Sequence, residues 1–140
     1  MIQGTASLHA ILQGYIDCFF DAGHQNLLAQ WADNGWNRQD DEEYDECCLK
    51  YIALIILDAY AHAAHKVLLE RGYPAVVATP ERTYMLPAAP ESLLARGLEI
   101  LREICGMSGA QAHGVLALGI GDQAREITIQ KNKGLHVMIF

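Results

Sequence analysis

Hydrophobic residues recur with a helical period over much of this chain and alternate at its end. From Ser7 to Asp21 the apolar positions Leu8, Ile11, Leu12, Tyr15, Ile16, Phe19 and Phe20 share one side. Gln13, Asp17 and Asp21 lie opposite, which predicts an amphipathic helix ended by Gly23. His24 to Ala32 reads as a shorter helix carrying Leu27, Leu28 and Trp31, and Asn34-Gly35 marks a turn.

Asp40 to Gly72 has the strongest pattern. No Pro or Gly interrupts it before Gly72, and Ala and Leu dominate its second half. Asp40, Asp41, Glu42, Glu43, Asp45 and Glu46 crowd its start, where carboxylates meet the positive end of a helix dipole. Asp40 and Glu43 have capping-box spacing. Two opposite rows are both largely apolar from Leu49 onward, so the helix is expected to be covered on most sides and to form the core. One unbroken helix here would span roughly 48 Å, against a radius of gyration of about 14 Å for a body of this length. Either it breaks near the acidic run, or it projects and pairs with a second subunit.

After Gly72 the pattern shortens. Ala75–Thr79 and Arg82–Leu86 are β-prone pieces around Pro80-Glu81, and a hairpin or two extended arms suits them. Pro90-Glu91 opens a helix with Leu94, Leu98, Leu101 and Cys105 on its apolar face, closed by Gly106. Ser108 and Gln111 have capping-box spacing for a weak helix through Leu118; the alternative is a Gly-containing strand from Val115 to Ile120. Arg125–Gln130 and Leu135–Phe140 alternate around Lys131-Asn132-Lys133-Gly134, a C-terminal hairpin. The expectation is one α+β domain over residues 1–140. It has four or five helices around a long central helix at about 40–72, and a small antiparallel sheet that includes the hairpin of 125–140.

Composition narrows the function classes. An apolar content of 51% is enough for a proper core. The net charge of −7, with few Lys and Arg and none clustered on a predicted face, argues against nucleic acid and against anionic membranes. The longest apolar run, Ile52 to Leu57, is far short of the roughly 20 residues of a membrane span. MIQGTAS lacks the basic start of a secretory signal, so a cytoplasmic protein is expected. Cys18, Cys47, Cys48 and Cys105 have no metal or redox spacing and read as buried thiols.

One ligand-type constellation stands out. Spacings of four and three would put Asp58, His62 and His65 on one face of a helix, where they can hold a divalent transition metal or form an Asp–His pair for general base work. This is not a diagnostic zinc motif, and a buried hydrogen-bonded cluster explains the same residues with fewer assumptions. His9, His24, His113 or Asp122 would supply missing ligands. Gly119-Ile120-Gly121-Asp122 lacks the lysine of a phosphate loop. Trp36 reads as a lid on the core. With no complete catalytic motif, the first expectation is a protein-binding regulatory or assembly module, homodimeric through the long helix. The second is a small metal-dependent hydrolase on the Asp58, His62 and His65 face. The third is a small-ligand sensor with Tyr51 lining a pocket between helix and sheet.

Overall fold

The computed structural model describes residues 5–37, 43–107 and 111–140. Its four helices are α1 (Thr5–Phe19), α2 (His24–Asp33), α3 (Tyr44–Ala61) and α4 (Glu91–Ile104). Its strands are β1 (Lys66–Glu70), β2 (Val76–Ala78), β3 (Thr83–Met85), β4 (His113–Ile120), β5 (Gln123–Asn132) and β6 (Leu135–Ile139). All six form one antiparallel sheet in the order β3-β2-β1-β6-β5-β4. The fold is α+β as expected. The sheet is not small, because half of its strands come from the middle of the chain.

The main departure is in the stretch expected to be one long helix. α3 stops at Ala61, His62 caps it, and Ala63 adopts a left-handed φ of 55° before the chain enters β1. Ala63 takes the C′ position that glycine usually fills, and no breaker in the sequence announces it. Lys66–Glu70 instead shows the two-residue alternation of a strand, with Val67 and Leu69 buried. Pairing with β2 and β6 outweighs the helical preference of Ala and Leu. At 18 residues α3 is about 27 Å long. That fits within the body, so length no longer argues for a second subunit. Burial from Cys47 through Ala59 also leaves α3 no apolar face for one. The acidic start at Asp40 to Glu42, and Ser108 of the second capping box, lie outside the described residues.

The helix-or-strand alternative after Gln111 resolves as strand β4. A row of residues facing the helices runs Tyr84, Val77, Val67, Met138, Ile129 and Gly114, one from each strand. Gly114 is needed there, since a Cβ would stand 2.6 Å from Met107 Cγ and 2.7 Å from Cys105 Cβ. Against this face packs a single core of Leu12, Ile16, Leu28, most of α3, and Leu94, Leu98 and Leu101. Two-residue turns close both C-terminal hairpins: Gly121 has φ 62° in the first, and Lys133 has φ 57° in the second. The left-handed residue in the second turn is therefore Lys133, and not the Asn or Gly the sequence suggested.

The β4 edge is covered from within. Residues 119 and 117 direct their backbone groups away from β5, as every second residue of an antiparallel edge strand must. The Gln13 amide of α1 donates to the Gly119 carbonyl at 2.7 Å and accepts from the Gly119 N–H at 2.8 Å. His9 Nε2 bonds the Ala117 carbonyl at 2.7 Å. Two polar residues on a helix thus stand in for a seventh strand.

Candidate functional site

Asp58 sits in the last turn of α3 and is 1% exposed. A buried carboxylate needs partners, and the Tyr84 hydroxyl donates to its Oδ2 at 2.6 Å. Tyr84 reaches it because it lies on the helix-facing side of β3, opposite Val77. His62 Nδ1 donates to the Asp58 backbone carbonyl at 2.8 Å and stands 3.4 Å from Oδ1. In the neutral ring that leaves Nε2 as the acceptor. The His62 and Tyr84 rings meet edge to face at 5.4 Å, and the Arg82 guanidinium lies 4.8 Å from the Tyr84 ring centre. The Tyr84 hydroxyl is held protonated well above its ordinary range by burial, then by its bond to Asp58 and that carboxylate's charge.

His65 is not part of this group. It lies beyond the end of α3, exposed, with its backbone N–H bonded to the Ala78 carbonyl and its own carbonyl to the Phe140 N–H. Of the proposed extra ligands, His9 caps β4, His113 is exposed at the start of β4, and Asp122 is in a turn. His24 does border the same opening of about 450 Å³ as Asp58 and His62, but its Nε2 is engaged with the Phe19 carbonyl at 2.8 Å. Among the described residues no three His, Cys, Asp or Glu side chains are placed to hold a metal ion. Asp58, Tyr84 and His62 together make a polar clasp between α3 and β3. Tyr84 is its unforeseen member; 26 residues separate it from Asp58, and no spacing rule joins a helix end to a strand three elements later.

Two of the thiols are held protonated by burial. Burial pushes Cys48 up to about 12, with Cys47 and Asp45 adding to it, and pushes Cys105 up to about 11, so both are thiols at neutral pH. Cys47 is buried, whereas Cys18, expected inside, is exposed.

Tyr51, the residue expected to line a ligand pocket, is 1% exposed. It is fully buried in an aromatic group with Trp31 and Trp36, at centroid distances of 6.4 and 5.6 Å. Trp36 closes that group from outside, the lid the sequence suggested. Burial pushes the Tyr51 hydroxyl from 10.0 up to about 12, opposed by its hydrogen bond with the Ala89 backbone. The native state therefore holds this proton more tightly than the unfolded chain does. Its contribution is complete below pH 10 and is lost as pH rises through about 12. In alkaline denaturation series, Tyr51→Phe is expected to lose stability less steeply over that window than the parent chain; equal slopes would contradict the assignment.

The other face of the sheet also carries apolar residues. Met85, Val76, Leu68 and Val137 stand directly opposite one another across β3, β2, β1 and β6. The next row is Thr83, Ala78, Lys66, Ile139, Thr128 and Val115. Apart from Ala78, which is buried, these residues lie outside the core. Met85 is 67% exposed, Val115 53% and Ile139 37%. Lys66 is the sole Lys, Arg, Asp or Glu in the two rows.

No helix among the described residues is long and apolar enough to cross a membrane. No protein-family model matches the chain, and no curated protein is significantly similar to it.

Proposed function

We propose that the protein is a binding module that associates with another protein, a second copy of itself in the first instance, through the open face of its sheet. The observation that carries this reading is the continuous apolar row of Met85, Val76, Leu68 and Val137, with Ile139 and Val115 beside it. Antiparallel sheets with one solvated face normally present polar residues on it, and contiguous exposed apolar surface marks interaction sites. The near absence of charge in the two rows supports self-association, since a chain of net charge −7 meets its copy there with little repulsion.

Light scattering on the purified chain tests this. The expected mass is twice the 15.5 kDa of one chain, returning to one chain in Met85→Lys/Ile139→Lys with the thermal midpoint lowered only by the lost association. A single-chain mass for the unmodified protein at high concentration removes the reading.

A further inference from the structure

Arg71, Arg102, Lys131 and Lys133 are four of the ten Lys and Arg residues in a chain of net charge −7. They come from just past β1, the last turn of α4, the end of β5 and the β5–β6 turn, and the fold gathers them around one pocket of about 220 Å³. The cluster is not visible in the sequence because its members lie in three separate segments that only the fold brings together. Among the described residues none of the four has a carboxylate partner. Glu99, which also borders the pocket, is held by Arg96 Nη1 at 2.7 Å. Bringing like charges together without counter-charges is unfavourable, so the arrangement calls for something to offset it.

His136 is a second and independent observation. It is 3% exposed, on the helix-facing side of β6, opposite Lys131 and Leu69. Arg102 Nη1 donates to its Nε2 at 2.9 Å. A guanidinium has donors only, so Nε2 accepts and the proton of the neutral ring is on Nδ1. No hydrogen bond of full geometry reaches that buried Nδ1 among the described residues, although the Gly134 backbone acts on the ring as a hydrogen-bonding group. Burial holds the imidazole down to about 4, with Arg102, Lys131 and Arg71 acting in the same direction and the Gly134 backbone opposing them. The three cations therefore converge on the same neutral ring.

We propose that this pocket binds a multiply charged oxyanion of the phosphate type, gripped by the Arg71 and Arg102 guanidiniums and the Lys131 and Lys133 ammoniums, with His136 at its base. Several negative charges are needed to offset four cations, and two forked guanidiniums match phosphate oxygens. The volume lies below the roughly 300–1,000 Å³ of drug-sized sites. It suits inorganic phosphate, pyrophosphate, or the phosphate end of a small metabolite. Ala95 and Leu98 line the pocket on the α4 side. The pocket belongs to the end of the sheet beneath α4, so it stands or falls separately from the open face.

Calorimetric titration of the full chain with inorganic phosphate and with pyrophosphate, at low ionic strength and neutral pH, tests the proposal. One saturable site is expected, weakened about tenfold or more in Arg102→Gln and in Lys131→Gln/Lys133→Gln. The lysine pair covers the case in which Arg102→Gln unfolds the base of the pocket. Lys66→Gln, on the open face, is expected to bind as the parent does. The ¹⁵N signals of the His136 ring should shift with the same saturation. The tighter of the two anions identifies how many phosphate groups the pocket takes. No saturable binding of either anion, equal weakening by Lys66→Gln, or an unmoved His136 signal overturns the site.

Discussion

Gly97→Leu is expected to destabilise the fold by about 3 kcal/mol, at the upper end of what overpacking costs, and to lower the thermal midpoint by roughly 10 °C. Gly97 lies inside α4, where a glycine ordinarily costs about 1 kcal/mol against alanine. It is tolerated because α4 crosses α3 closely there: a Cβ on Gly97 would lie 3.2 Å from Ile52 Cγ1 and 3.6 Å from the Cys48 carbonyl oxygen. Ile52 and Cys48 are both fully buried and have no room to retreat. Leucine would separate the two helices, whereas alanine, with only its Cβ to place, should change stability by less than about 1 kcal/mol in either direction. Urea denaturation of both variants checks this. A leucine variant with an unchanged midpoint would mean that the helices do not approach as described.

Tyr84→Phe is expected to cost about 1.5–3 kcal/mol, the range for a hydrogen bond to a charged group. The substitution leaves the Asp58 carboxylate buried, with His62 3.4 Å away as its remaining side-chain contact given by the structure. Removing both ends of the clasp should cost less than the sum of its parts, because the double variant no longer buries an unpaired carboxylate. A cycle of Tyr84→Phe, Asp58→Leu and the pair is therefore expected to show a coupling of about 2 kcal/mol. Strict additivity would show that the 2.6 Å contact contributes nothing of its own. The cycle also bears on chemistry, since a role in positioning α3 on β3 moves stability alone.

Periodicity located most elements but not the connection that matters most. α1, α2, α4 and the C-terminal hairpin are visible because each has one wet face and one dry face, with Gly23, Gly35 and Gly106 marking ends. The end of α3 is hidden, since Ala63 has the best helix propensity of any residue and yet takes a left-handed φ. Only the tertiary pairing of Val67 and Leu69 explains the break. That one break carries His65 off the helix, and the expected three-residue site depends on its being there. For Asp58 and His62, helical spacing was a sound guide, because both stay within α3 and its cap. Tyr84, His136 and the four pocket cations were illegible for a different reason: each group assembles across at least two elements that only the sheet order brings together.

The clasp of Gln13 and His9 on β4 bears on the order in which the chain is made. Synthesis delivers α1 long before β4, and N-terminal segments begin to fold first. When the last strands leave the ribosome, the polar side chains that cover Gly119 and Ala117 are already present on the nascent chain. The strand edge that would otherwise recruit a neighbouring polypeptide on a crowded polysome finds its cover within the same molecule.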